Sequence, residues 1–430
     1  MSGLVLVASA EAHIIPAMGW VGPFVALLLC IAILPLVAGH FWHRNRNKAI
    51  VSLALATPVA AFYLAHGAGS ELVHALIEYF SFIVLLGSLY TISGGIRLKG
   101  DLKATPGVNT AFLATGAVLA NFLGTTGAAM LLIRPLMQTN AEREHKTHIV
   151  VFFIFLVANI GGCLTPLGDP PLFLGYLRGV PFTWTLSLWP EWLTAVGLLL
   201  GIFYLWDKRK YAQETRQALH LDATRIEPLS LTGKVNFLFL AGVIASILFL
   251  GEPVREIAML AMAGLSMALT QKEIRKANHF DFEAITEVAV LFIGIFITMI
   301  PALSLLKAEG AALGIDVQWK FFWGTGLLSS FLDNAPTYLA FGSLAQGLTG
   351  AEGFAALSAQ APDILTAISV GAVFMGANTY IGNGPNFMVR AIASAPGPYQ
   401  VKMPEFFGYM AWSTLVLIPV FLLITVLFFL

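Results

Sequence analysis

The chain has 430 residues, 57% of them hydrophobic and 11% charged, with no formal net charge and a mean hydropathy of +0.80. Soluble domains carry about 25% charged residues, so an ordinary soluble protein is excluded, and without a basic excess there is no nucleic-acid footprint. Cys30 and Cys163 lie in separate apolar segments, which argues against a disulfide framework or thiolate metal site. No HExxH, GxxxxGK[ST] or GxGxxG pattern suggests zinc, nucleotide or dinucleotide chemistry.

Apolar stretches of membrane-spanning length recur from end to end, as expected of an all-α polytopic membrane protein. Residues 1–17 lack the basic n-region of a signal peptide and read as a peripheral segment. Spans follow near 20–39, 49–67 and 72–96, then a long stretch, 105–138, then 148–178 and 188–206. The polar segment 207–234 reads as an aqueous linker between two halves, 18–206 and 235–430. After it the order recurs: 236–250, 256–270, 282–306, a long 314–345, a long 362–393, and 404–430.

The stretches 105–138 and 314–345 are too long for one span and too short for two spans with a turn. Each fits a re-entrant hairpin, with its tip at "NFLGTTGA" (121–128) or "SFLDNAPT" (330–337). Non-helical backbone at membrane depth is tolerated only where protein or a wet cavity covers it. The halves align with each other. At an offset of 209, Asn121-Phe-Leu-Gly-Thr lies over Ser330-Phe-Leu-Asp-Asn, and Glu78 over Glu287. At 214, Thr165-Pro-Leu-Gly-Asp-Pro-Pro lies over Thr379-Tyr-Ile-Gly-Asn-Gly-Pro. Such ordered matches indicate an internal repeat.

Five spans plus a hairpin per half make the repeat inverted. Eighteen of the 24 Lys and Arg residues then fall on one side and four on the other. Arg134 and Arg390 lie near the ends of spans on the richer side. By the positive-inside rule that side, with the linker, is cytoplasmic, and both termini are outside. The inner membrane is the expected location.

Inverted repeats with broken helices are the architecture of secondary transporters, whose sites lie at mid-membrane. Pro166, Pro170 and Pro171 break the span around Asp169. Asp333 marks the second hairpin tip, and the repeat counterparts are neutral, Asn383 and Gly124. If each tip faces the break of its own half, two clusters arise. One comprises Asn121, Thr125, Thr126, Asn159, Thr165 and Asp169; the other Asp333, Asn334, Thr337, Asn378, Thr379 and Asn383. Oxygen-rich and free of imidazole and thiolate, they suit a hard cation such as Na⁺, with Asp169 and Asp333 as its carboxylates. Desolvation favours the protonated acid, so proton and cation can compete there. A buried aspartate at a break can also be only a cap, though intramembrane acids are usually functional. Glu78 and Glu287 read equally as interhelical pairs or as a proton relay.

The segments "ANIGGCLTPLGDPP" and "SSFLDNAPT" resemble NhaD-type sodium/proton antiporters of the ion transporter superfamily. That superfamily also holds divalent-anion/sodium symporters, citrate carriers and arsenite pumps. The resemblance implies a homodimer with scaffold and moving parts, and ion ligation at Asp169, Asp333 and Asn334. One departure stands out: the first hairpin is Asn121-Phe-Leu-Gly-Thr-Thr-Gly where NhaD-type chains are expected to carry an acid. The expected function is Na⁺ or Li⁺ exchange for H⁺ by alternating access, with no cofactor and no partner beyond lipid, ion and a second copy. The alternative is sodium-coupled uptake of citrate or another carboxylate. An intramembrane enzyme with an aspartate dyad fits the inverted repeat poorly.

Overall fold

A computed structural model describes residues 15–224, 226–397 and 399–430. Fourteen residues of the expected peripheral segment therefore lie outside the described residues. Helices α1 (Gly22–Val37), α2 (Gly39–Trp42), α3 (Asn45–Ala65) and α4 (Gly69–Ser93) come first. Strand β1 (Arg97–Asp101) leads into α5 (Pro106–Thr139), α6 (Thr147–Leu156), α7 (Pro170–Leu177) and α8 (Trp189–Tyr211). Then come α9 (Arg216–Thr224), strand β2 (Glu227–Thr232), α10 (Val235–Phe249), α11 (Val254–Leu269), α12 (Lys272–Ala277) and α13 (Glu283–Glu309). The chain closes with α14 (Gln318–Ser329), α15 (Asn334–Thr349), α16 (Phe354–Gln360), α17 (Pro362–Met375), α18 (Gly384–Ser394) and α19 (Phe406–Ile424).

Eight helices among the described residues are long and apolar enough to cross a membrane, nine if α16 and α17, bent by 115°, count as one span. The protein is an all-α polytopic membrane protein carrying one small β ribbon. Helices α10 and α11, at 15 and 16 residues, rise only about 23 Å, less than the ~30 Å hydrocarbon core. Phe249 and Val254, at the turn joining them, are exposed.

Helix α5 is a hairpin. Gly124 sits at φ +73°, ψ 157°, a conformation that only glycine adopts without strain. Beyond it the chain turns back, so that a Cβ on Gly116 would lie 3.1 Å from Leu132. At its base Asn109 and Asn140 exchange side-chain amide hydrogen bonds of 2.9 and 2.8 Å. In a straight helix they would stand about 46 Å apart. Helices α14 and α15 form the second hairpin, with Gly324 packed on the Phe341 ring.

Broken helices cross beside each hairpin. The first runs through α6, a 3₁₀ turn (Ile160–Leu164) and α7; the second through α17, a 3₁₀ turn (Gly376–Asn378) and α18. The breaks share one backbone: Thr165 and Thr379 have φ/ψ of −139°/156° and −132°/159°. Asp169 and Asn383 follow at −143°/144° and −149°/139°. In each, two glycines face one another: a Cβ on Gly168 would meet the Gly162 carbonyl, and one on Gly382 the Gly376 carbonyl.

One of the most apolar runs, α6, is inside the protein rather than on its surface. Ile149 to Ala158 are all buried, as expected of a helix that is apolar all round. The most exposed apolar windows are those of α1, α3 and α8, only 17%, 28% and 33% buried.

The segment expected as an aqueous linker is docked against the first half. Helix α8 runs on to Tyr211, and β2 pairs antiparallel with β1, Lys99 opposite Ser230. The Asp222 carboxylate accepts from the Ala104 N–H at 3.0 and 3.1 Å. Glu214 accepts from the backbone N–H groups of Glu144 and His145, both at 3.0 Å.

Candidate functional site

The two hairpin tips and the two breaks meet at Asp169, which is 1% exposed. It occupies the N-cap position of α7, yet its side chain does not cap. The reason is local: an N-cap side chain bonds the N–H of N2 or N3, N2 is Pro171, and the Leu172 N–H is taken by the Asp169 carbonyl. The carboxylate turns instead to three neutral donors. Thr125 Oγ1 donates to its Oδ1 at 3.2 Å, Asn334 Nδ2 to Oδ2 at 2.9 Å, and Asn383 Nδ2 to Oδ1 at 3.4 Å. Thr125 belongs to the first half; Asn334 and Asn383 belong to the second.

Asp333 behaves differently. Half-buried, it caps α15, accepting from the Ala335 N–H at 3.1 Å. Here N2 is not proline, so the donor exists. Its carbonyl accepts from Thr337 Oγ1 at 3.0 Å.

The remaining expected residues join hairpins to breaks. Asn121 donates to the Gly161 carbonyl at 2.7 Å and accepts from the Leu164 N–H at 2.8 Å. Thr165 donates to the Asn121 carbonyl, as Thr379 does to that of Ser330. Asn378 Nδ2 donates to Ser330 Oγ at 2.9 Å, while its buried Oδ1 has no donor among the described residues. Asn159 accepts from Asn383 Nδ2 at 3.1 Å. Hydrogen bonds through Asp169 and Asn159 thus fuse the two expected clusters into one network. Thr126 is half-buried and makes no hydrogen bond to it among the described residues.

Sequence reading missed Asn386 and Ser329. Asn386, wholly buried, accepts from Asn159 at 2.6 Å and donates to the carbonyls of Gly376 and Thr379 at 2.9 and 3.0 Å. Ser329 Oγ lies 2.7 Å from Asn334 Oδ1 and 2.6 Å from the Ala372 carbonyl, so its single hydroxyl hydrogen is shared between the amide that reaches Asp169 and the helix α17 backbone. A signal existed for Asn386: at the offset of 214 an amide stands over apolar Leu172.

Glu78 and Glu287 lie outside the network. Glu78 pairs with Arg178 at 2.8 Å, and Glu287 with Lys48 at 2.7 Å. Arg390 stacks on the Tyr380 ring, 4.2 Å from its centroid, and its buried Nε has no hydrogen-bond partner among the described residues.

The arrangement can hold one carboxylate, closed from solvent, among amides and hydroxyls. Each amide carries an oxygen as well as a nitrogen, so Asn334 and Asn383 can present either to a ligand. The N-termini of α7, α15 and α18 converge here, a partly positive environment. No group of three or more His, Cys, Asp or Glu side chains that could hold a metal ion occurs among the described residues. No curated protein matches the chain. Residues 13–429 match the family model described as "Putative citrate transport"; the chain belongs to that family of membrane transporters.

Proposed function

We propose that the protein is a secondary transporter that exchanges Na⁺ or Li⁺ for H⁺ at Asp169, with Asp333 as a second acid at the hairpin tip. The observation that carries this reading is the carboxylate of Asp169 held by Thr125, Asn334 and Asn383. A charge buried in the membrane is retained where it works, and here no Lys or Arg among the described residues pairs with it. Proton and cation each neutralise the same acid, so binding one displaces the other. Rotating the Asn334 or Asn383 amide would replace a donor to Asp169 with a ligand oxygen for the ion.

Asp169 is buried from solvent, which suits an occluded step of alternating access. The matching breaks and hairpins support an inverted repeat, in which opening to one face mirrors opening to the other. The charge bias supports a cytoplasmic β ribbon and linker with both termini outside. The sequence resemblance to NhaD-type antiporters is what supports a homodimer in the inner membrane.

A second reading, sodium-coupled carboxylate transport, has specific support. Three helix N-termini converge at the site, a geometry that favours anions, and Arg390 lies close to the second break. The family description points the same way. Proteoliposomes holding a pH dye and given Na⁺, Li⁺, K⁺ or citrate in turn separate the two. Na⁺-triggered proton movement without organic anion is expected; a signal requiring citrate and Na⁺ together would replace the first reading with the second.

A further inference from the structure

A second polar region lies beyond the network, at the end of the molecule that the charge bias assigns to the cytoplasm. There a cavity of about 330 Å³ is lined by Arg97, Lys99, Arg134, Asn278, His279 and Gln400 along with apolar residues; no acid lines it among the described residues. Its size is at the low end for small-molecule pockets. Arg134 is half-buried on the second arm of the α5 hairpin, and neither its guanidinium nor that of Arg97 has a hydrogen bond or ion pair among the described residues. Lys99 has one partner, Glu227, at 3.4 Å. The acids Asp101, Glu142 and Glu227 line a neighbouring cleft that meets the cavity at Gln138 and Tyr399.

The walls belong to different parts of the fold. On one side Asn278 donates to the Gly94 and Ile96 carbonyls at 2.9 and 2.8 Å, and His279 follows in the left-handed region at φ +50°, fixing the corner after α12. On the other side stand Met130 and Arg134 of α5, and Ile392 of α18. These two helices carry Thr125 and Asn383 to Asp169. Arg134 lies about 13 Å along the hairpin arm from Thr125 by helical rise.

We propose that this cavity is a binding site for a compact oxyanion with two or more negative oxygens, a di- or tricarboxylate or a phosphate. Unpaired guanidiniums suit such groups, because their planar forks donate in pairs to carboxylate or phosphate oxygens. An anion bridging Arg134 to Arg97 and His279 ties the hairpin arm to the fixed corner. If the exchange reading holds, occupancy also slows transport.

Isothermal titration of the purified full-length protein in neutral detergent with citrate, phosphate and sulfate, at constant ionic strength against chloride, tests binding without transport. Saturable binding is expected, weakened at least tenfold in both Arg134→Gln and Arg97→Gln and unchanged in Asp169→Asn. A lipid headgroup offers the same chemistry, so a parallel arm uses nanodiscs with and without phosphatidylglycerol. Retention of that lipid sensitive to Arg134→Gln assigns the anion to the membrane; saturable binding in detergent assigns it to the cytosol. Absence of binding in both arms, indifference to both arginine variants, or loss in Asp169→Asn would overturn the proposal. Because binding is read directly, failure of the exchange reading leaves this result standing.

Discussion

Asp169 in the first broken helix accepts a 2.9 Å hydrogen bond from Asn334 at the tip of the second hairpin, across 165 residues of sequence. Its neighbour Asp333 instead caps its own helix. The substitutions Asp169→Asn and Asp333→Asn therefore ask different questions. Asparagine caps about as well as aspartate, so Asp333→Asn keeps the fold and tests charge alone. Both should lose Na⁺-dependent proton movement in liposomes. Full exchange in Asp333→Asn would leave that residue a cap; full exchange in Asp169→Asn would remove the carrier. Asn334→Ala leaves one Asp169 oxygen unpaired, at about 1–3 kcal/mol, read as a lowered Tm.

Much of this was legible before the structure. Proline and glycine chemistry marked the breaks, and length marked the hairpins, because a 34-residue stretch fits neither one span nor two. What the sequence could not supply was the pairing across halves. Asn334 reaches Asp169 because the hairpins and breaks meet at one centre, and no local pattern carries that distance. The capping difference between Asp169 and Asp333 was readable from Pro171 against Ala335. The docked linker was hidden because its anchors, Glu214 and Asp222, look like ordinary solvated acids until the backbone they bind is in place.

Glycines at the breaks divide sharply. A methyl group on Gly168 or Gly382 would drive into backbone carbonyls, whereas one on Gly384, in the same motif, would meet nothing within 4 Å. Gly168→Ala and Gly382→Ala should sharply reduce monodisperse protein on size exclusion, and Gly384→Ala should not. Equal yields from all three would contradict the packing described for the breaks.

The base of the first hairpin is closed by the Asn109–Asn140 amide pair, and Asn109 also donates to buried Asp207 at 3.1 Å. Removing Asn109 strips a donor from a buried carboxylate, so Asn109→Ala should cost about 1–3 kcal/mol. The double variant with Asn140→Ala should cost less than the sum of the singles, since they share one interaction. Thermal unfolding in detergent measures the cycle; strict additivity would show that the two amides act independently.

Glu214 gives a pH dependence. Burial alone would raise its carboxyl, but the N–H groups of Glu144 and His145, with Arg143, outweigh burial and hold it below the ordinary value of 4.5. A depressed value in the folded state means that the contribution is complete above the unfolded value and is lost as pH falls through the folded one. Glu214→Gln should therefore lower stability at neutral pH and flatten its decline below about pH 4.5. A variant whose acid-side slope matched that of the parent would show that other carboxylates set it.

Glu78 and Arg178 join α4 to the end of α7 at 2.8 Å, both partly exposed. As an ion pair this is worth roughly 1 kcal/mol or less, and its role is to hold the end of the first broken helix against its neighbour. A proton relay would need the carboxyl itself, whereas a pair needs only opposite charges. Glu78→Gln should shift Tm slightly and leave the pH profile of exchange in place, and the swap Glu78→Arg with Arg178→Glu should restore what either single reversal loses. If exchange is abolished in Glu78→Gln and the swap does not rescue it, Glu78 carries protons and the pairing is incidental.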